Sequence, residues 1–116
     1  MIMLIRMPRG DIKYIHFIVN DPYGEIIDYD MTEIYFSVKK TFKDRFVCFQ
    51  KKLSNNGIKR LDFGDYMIKI EPQDTRNMVY GNYVFDIQLR YKDLLKESFA
   101  GTFILKPEAT FEENEG

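Results

Sequence analysis

Alternation of apolar and polar side chains is the feature that most constrains the fold of this chain. The clearest example runs from Asn82 to Tyr91, where every second residue is a large apolar one. A period of two places successive side chains on opposite faces of a β-strand. The pattern recurs along most of the chain, and no stretch has the spacing of a convincing amphipathic helix. The sequence therefore predicts an all-β protein.

Turn-forming residues divide the alternating segments into seven or eight short strands. Asn20–Gly24, Ser54–Gly57 and Asp62–Asp65 are rich in Asn, Asp, Gly and Pro, which favour tight turns. A hairpin through Thr41–Arg45 is expected to join two strands, and Pro72–Met78 a single helical or 3₁₀ turn, since Pro suits a first turn. The predicted strands are 2–6, 12–19, 33–40, 46–51, 66–70, 82–91 and 97–105.

A Gly-Asn-Tyr sequence stands where the longest predicted strand begins. In immunoglobulin-like sandwiches a Tyr near the start of strand F bonds back across the corner that precedes it. Gly81 and Tyr83 are placed for such a structural corner. We therefore expect a single antiparallel immunoglobulin-like β-sandwich of about seven to eight strands over residues 1–106, with an acidic C-terminal tail over residues 107–116.

Composition limits the classes of partner and cellular compartment. The 116 residues fit one domain, and 17 basic against 18 acidic residues give a formal charge of -1, so no global field favours nucleic acid or an anionic membrane. A single cysteine, Cys48, excludes an internal disulfide. We interpret Cys48 as a small apolar residue of the strand at 46–51. No apolar run approaches a membrane span, and no secretory signal is visible.

Residues that could carry catalysis are sparse. His16 is the only histidine and alternates with inward residues, which predicts a surface position. No serine lies in the strained Gly-x-Ser-x-Gly turn of a hydrolase. We therefore predict a protein that is not an enzyme, with no catalytic residues and no cofactor.

Metal binding is also weakly indicated. One His and one Cys do not make a zinc site without unusual carboxylate help. Four carboxylates within ten residues, although they lack the EF-hand order, could hold calcium, but we favour solvated turn carboxylates. They are Asp21, Glu25, Asp28 and Asp30. We expect no metal site.

Positive charge is concentrated in one part of the sequence. Between residues 39 and 60 there are eight basic residues and one acid, Asp44, whereas the tail is acidic. The cluster could protect an exposed sheet edge, contact an acidic protein surface, or bind phosphates of a single strand, with nucleic acid the least favoured. The candidate protein-contact residues are Lys39, Lys40, Lys43, Arg45, Lys51 and Lys52.

Several segments, in their order and spacing, resemble one family of domains. They are Arg9–Asp11, Asp21–Asp28, Ile34–Lys40, Gln50–Lys52, Glu71–Thr75, Gly81–Gln88 and Gly101–Lys106. Over about residues 7–110 the chain resembles the immunoglobulin-like domain of tailed-phage and prophage structural proteins, the kind found at the N-terminus of the baseplate upper protein and in related tail or head-surface proteins. Arg9-Gly10-Asp11 also spells the integrin tripeptide, but we interpret it as a tight turn before a strand.

The resemblance implies a virion protein made in the host bacterial cytoplasm, not secreted by a signal peptide. It would be a non-enzymatic tail, baseplate or capsid-decoration component whose partners are other virion proteins and copies of itself, with no membrane partner. The alternative is a carbohydrate-binding module that contacts host cell-wall glycans. In that case exposed tyrosines would stack on sugar rings, and the candidate glycan-contact residues are Tyr23 and Tyr29.

Overall fold

The computed structural model describes residues 3–20, 23–25, 31–91 and 96–107. These residues form an all-β protein with eight strands and one short helix. The elements are β1 Met3–Pro8, β2 Lys13–Ile18, β3 Met31–Lys39, β4 Phe49–Lys52, β5 Ile58–Asp62, β6 Asp65–Ile70, α1 Pro72–Thr75, β7 Gly81–Tyr91 and β8 Lys96–Lys106. The predicted helical turn after Pro72 is confirmed, and β5 lies between two of the predicted turns.

The strands form two sheets. One has five strands in the order β1-β8-β7-β3-β4, and the other has three in the order β2-β6-β5. Neighbouring strands are antiparallel except β1 and β8, which run parallel from Met3 opposite Gly101 to Pro8 opposite Lys106. The expectation of a purely antiparallel structure is therefore wrong at this edge. A parallel neighbour needs a long connection, and the first and last strands have the rest of the chain between them.

The hydrophobic core lies between the facing sides of the two sheets. The inward positions predicted from alternation on β3, β6 and β7 are buried, and the aromatic rings of Phe36 and Phe85 pack with their centroids 5.6 Å apart. Burial of these side chains is the main stabilising contribution, at about 1.5–3 kcal/mol for each large apolar side chain. The buried apolar side chains of these three strands are Ile34, Phe36, Val38, Tyr66, Ile68, Ile70, Tyr83, Phe85, Ile87, Leu89 and Tyr91.

The predicted strand at 46–51 is wrong at its start. Strand β4 begins at Phe49, and residues 40–48 form a loop in which Phe46, Val47 and Cys48 are exposed. Pairing between β3 and β4 ends at Val38 opposite Phe49, so residues before Phe49 have no register partner on β3. Cys48 is therefore a loop residue rather than a small residue of a buried strand.

The Arg9-Gly10-Asp11 sequence forms the turn between β1 and β2 and packs on the corner near α1. Gly10 has φ +81°, a conformation that favours glycine, and its amide donates a hydrogen bond to Oγ1 of Thr75 at 2.9 Å. The Arg9 guanidinium lies 4.4 Å from the ring centre of Tyr80. These contacts give the tripeptide a structural role in joining the sheets.

Tyr83 is buried at the start of β7. Its hydroxyl donates a hydrogen bond of 2.7 Å to the carbonyl oxygen of Val79, four residues earlier. Burial, with a smaller effect from Cys48, raises the pKa of the Tyr83 phenol. The hydroxyl therefore stays protonated and able to donate at neutral pH.

Replacing Tyr83 with Phe tests this hydrogen bond. Because Tyr83→Phe leaves the Val79 carbonyl without that donor and keeps the ring, we expect the free energy of unfolding to fall by about 1 kcal/mol. Urea unfolding of Tyr83→Phe and of Tyr14→Phe, whose ring is exposed, provides the comparison. Equal stability of Tyr83→Phe and the parent protein would contradict the structural role of the hydroxyl.

Glu33 ties β3 to the turn after β4 and predicts a pH dependence. Burial acts to raise the pKa of its carboxyl, but hydrogen bonds from Ser54, Ile34 and Leu53 outweigh it and lower the pKa below 4.5. The carboxylate therefore stabilises the fold above pH 4.5, and that contribution is lost as the pH falls through the lowered value. In urea unfolding at several pH values, Glu33→Gln should have a lower free energy of unfolding than the parent protein. We expect this deficit to shrink between pH 5 and pH 3. A deficit that is constant over this range would contradict the assignment.

Candidate interaction surface

The outward side of β4, β3 and β7, with the loop over residues 40–48, forms a shallow concavity that we call the basic face. Its volume is about 380 Å³. Three cationic side chains and one carboxylate, Asp86, lie among its amide, hydroxyl, aromatic and aliphatic groups. The lining residues are Tyr35, Ser37, Lys39, Arg45, Val47, Gln50, Asp86, Gln88 and Arg90.

Tyr35 is the aromatic centre of the basic face. The Arg90 guanidinium lies 5.4 Å and the Lys52 ammonium 5.7 Å from its ring centre, distances at which a cation is attracted to an aromatic face. Beside it, Gln50 donates a hydrogen bond of 2.9 Å to Ser37, which is buried although it points outward. The floor of the concavity is thus ordered before any partner arrives, which lowers the entropic cost of binding.

The loop over residues 40–48 forms one wall and has a defined conformation. The backbone amide of Thr41 donates to Oδ2 of Asp44 at 3.1 Å, and that of Asp44 donates to the Thr41 carbonyl at 3.2 Å. At its end the amide of Cys48 donates to the Val38 carbonyl at 2.7 Å. Partial desolvation and the Asp44 charge raise the pKa of the Cys48 thiol, which disfavours the reactive thiolate.

The structure brings most of the predicted contact residues to this region. Lys39 and Arg45 line the concavity, and Lys43 is exposed on the loop. The Lys40 ammonium donates to the Asn82 carbonyl at 3.1 Å and lies 4.6 Å from the ring centre of Tyr83. The basic residues between 39 and 45 therefore share one end of the five-stranded sheet.

Lys51 does not belong to this surface, which corrects its place among the candidate contacts. Its ammonium forms an ion pair of 2.6 Å with Asp74 on α1, and a longer one of 3.8 Å with Glu71. The side chain is only 10% exposed, because β4 alternates and Lys51 shares the inward face with Phe49. Lys51 holds β4 to the helical corner and is not accessible to a partner.

The other predicted sites have mixed outcomes. Tyr23 is 91% exposed, but Tyr29 lies outside the described residues. Also outside them are Asp21, Asp28 and Asp30 of the possible calcium cluster and the acidic residues 108–116.

Exposed His16 contacts Asp65 across the three-stranded sheet. Within residues 3–20, 23–25, 31–91 and 96–107, no group of three or more His, Cys, Asp or Glu side chains could hold a metal ion.

Part of the basic face was missed by sequence reasoning. Asp86, Gln88 and Arg90 reach it because β7 is the neighbour of β3, with Tyr35 opposite Gln88. Alternation on β7 places these side chains on the face opposite Tyr83, so the sequence does indicate that they share one face. What sequence alone lacked was the identity of the neighbouring strand.

No protein-family model matches the chain, and no curated protein matches it. Among the described residues, no helix has both the length and the apolar character needed to cross a membrane. The chemistry of the basic face and the resemblance in the sequence are therefore the features that bear on function.

Proposed function

We propose that this chain is a non-enzymatic building block of a tailed-phage or prophage-derived particle, with an immunoglobulin-like fold, and that it acts through protein contacts. The observation that carries the proposal is the basic face, a preformed concavity in which cations surround an aromatic floor. Arg and Tyr are enriched among residues that dominate protein interfaces. The virion context comes from the sequence resemblance.

The immunoglobulin-like class is supported by strand order. The order β8-β7-β3-β4 corresponds to G-F-C-C′ of a variable-type domain, and β2-β6-β5 corresponds to B-E-D. On this correspondence Tyr83 stands near the start of strand F, and its bond to Val79 is the one made by a tyrosine corner. Gly81, with φ +142°, supplies the preceding backbone conformation.

The charges of the basic face favour an acidic partner surface. Lys39, Arg45 and Arg90 outnumber Asp86 within the concavity, and Arg presents a planar group suited to bidentate bonds with carboxylates. Such complementarity orients a partner and speeds association. Repetition of the contact in a particle with many copies would strengthen individually weak contacts.

Deletion and complementation of the gene in its own phage or prophage test the proposal. We expect deletion to remove intact particles from electron micrographs, and plasmid-borne wild-type protein to restore them. Lys43→Glu with Arg45→Glu should fail to restore them, because two positive charges on the loop that borders the basic face are reversed. Lys59→Glu with Lys69→Glu, an equal charge change on the three-stranded sheet, is the matched control. Normal infectious particles after deletion would refute the proposal.

Carbohydrate binding is the second candidate function. A groove of about 220 Å³ on the three-stranded sheet combines the half-exposed ring of Tyr14 with polar groups that include Asn56 and Glu71. An aromatic ring beside amide and carboxylate groups could stack on a sugar and bind its hydroxyls. Pulldown of purified cell-wall polysaccharide by the domain, lost in Tyr14→Ala or Tyr23→Ala, would favour this function over particle assembly.

A further inference from the structure

Strand β2 lies at one edge of the three-stranded sheet, with β6 as its neighbour. The amide of Val19, just after β2, donates a hydrogen bond of 2.9 Å to the Gly64 carbonyl. Lys69, which lies opposite Tyr14, instead directs its amide to the Gly57 carbonyl on the other side of β6, at 3.3 Å. Backbone groups in an antiparallel ladder point alternately to the two sides. The amides and carbonyls that point to the open edge of β2 are therefore those of Tyr14, His16 and Ile18.

The open edge of β2 lacks the features that protect the other edges of the two described sheets. β4 is only four residues long, and β5 has a register irregularity between Arg60 and Asp62. β1 carries Arg6 and ends at Pro8. Short length, charge, proline and bulges all oppose pairing with another chain. The segment Tyr14–Ile18 contains no Lys, Arg, Asp, Glu or Pro, and its register with β6 is regular. It is the sheet edge best suited to accept a further strand.

The side chains of β2 are incompletely covered on both faces of the sheet. Ile15 and Phe17 pack against the core but are only partly buried, whereas the residues opposite them on β6 are buried. On the outward face Tyr14 is 55% exposed and Ile18 is 47% exposed. A strand added at the open edge would cover part of both rows, and burial of this apolar area would favour association.

A second copy of β2, running antiparallel about a two-fold axis at His16, complements this edge. Tyr14 of one copy then lies opposite Ile18 of the other, so apolar side chains meet on the outward face. On the inward face Ile15 lies opposite Phe17, and cross-strand pairs of these kinds stabilise a sheet. In this register the residues whose backbone groups point to the open edge pair only with one another. A shift by two residues in either direction places one of them opposite a residue outside β2.

We propose that two copies of this chain form a symmetric dimer by pairing their β2 strands antiparallel about His16. The two three-stranded sheets join into one continuous sheet, and the same surface is used on both copies. Each pair of residues that points to the open edge exchanges two backbone hydrogen bonds. The inference goes beyond the proposed function, because it assigns a contact between copies to the three-stranded sheet and not to the basic face.

Sedimentation velocity of the full chain over a range of concentrations tests the pairing. We expect the parent protein to pass from monomer to dimer as its concentration rises. Tyr14→Glu with Ile18→Glu should weaken the dimer, because like charges then lie directly opposite each other across the axis. Tyr14→Glu with Ile18→Lys places opposite charges at the same positions, and it should dimerise roughly 10-fold more tightly than the first variant. Equal dissociation constants for the two variants would overturn the proposed pairing.

Leu61→Glu with Phe63→Glu is the matched control at the far edge of the same sheet. These side chains are 51% and 56% exposed, on β5 and on the turn that follows it, so a similar exposed apolar area is replaced by the same charge. The control should dimerise like the parent protein. A control as weak as Tyr14→Glu with Ile18→Glu would overturn the proposal. A parent protein that is monomeric at every concentration would also overturn it, and would leave the edge to a strand of another protein.

Cysteine cross-linking tests the two-fold axis independently. In a Cys48→Ser background, which removes the native exposed thiol, His16→Cys places two thiols opposite each other in the dimer. Directly opposite residues of antiparallel strands have Cα separations that a disulfide can bridge. We expect oxidation to give a covalent dimer of His16→Cys on a non-reducing gel, and far less of Leu61→Cys. Equal cross-linking of the two variants would contradict the axis at His16. None of these outcomes changes whether the chain is found in particles, so the proposed function is tested separately.

Discussion

Gly101→Ala should lower the free energy of unfolding by about 3 kcal/mol, because the strands around position 101 leave no room for a methyl group. A Cβ at this position would overlap the Met3 carbonyl oxygen and lie 2.7 Å from the Phe85 ring. The first obstacle is backbone, so β1 would have to move away from β8. Urea unfolding followed by far-UV circular dichroism measures the loss.

The neighbouring Ala100 supplies the control for this substitution. Ala100 is exposed on the same strand, and Ala100→Ser should change stability by no more than about 0.5 kcal/mol. A Gly101→Ala protein as stable as Ala100→Ser would mean that β1 does not pair closely with β8. The parallel edge of the five-stranded sheet would then be contradicted.

Asp74→Ala should lower the free energy of unfolding by about 3 kcal/mol, since it leaves the Lys51 ammonium buried without its near partner. The Asp74 carboxylate lies 2.6 Å from that ammonium and also accepts a hydrogen bond of 2.7 Å from the Glu71 amide at the start of α1. Glu71 is 3.8 Å from the ammonium and 40% exposed, so it compensates only in part.

A double-mutant cycle separates the ion pair from the helix cap. Lys51→Met removes the buried charge and retains much of the aliphatic side chain. The decrease in free energy of unfolding caused by Asp74→Ala should therefore be smaller in the Lys51→Met background than in the parent protein. Chemical denaturation of all four proteins gives the coupling energy. Additive losses would contradict the burial of Lys51 and return it to the set of possible contact residues.

Most of what could be predicted about the fold came from the alternation of apolar and polar residues. Ile34, Phe36 and Val38 point inward as the pattern indicates, because a strand with one buried face must place its apolar residues at every second position. The strand predicted over 46–51 was wrong at its start because Phe46, Val47 and Cys48 form an uninterrupted apolar run. Such a run does not reveal whether a neighbouring strand is present. The parallel pairing of β1 with β8 joins the two ends of the chain and has no local signal.

The interaction surface was predictable only where it is continuous in sequence. Lys39, Lys43 and Arg45 could be found as a run of charge, whereas Arg90 reaches Tyr35 through strand pairing between distant segments. Lys51 was wrongly included among the contact residues because the prediction counted charge alone. Alternation from Phe49 places Lys51 on the inward face of β4. Its partner Asp74 lies on a corner whose position depends on the whole fold.

The function that we propose makes this chain a structural component of a phage-type particle. Quantitative mass spectrometry of density-gradient-purified particles, compared with the unassembled lysate, provides the test. We expect the chain to co-purify with the particles at a constant ratio to their major structural proteins, and in several copies per particle. A chain that remains in the unassembled fraction, and is missing from intact particles, would contradict the claim.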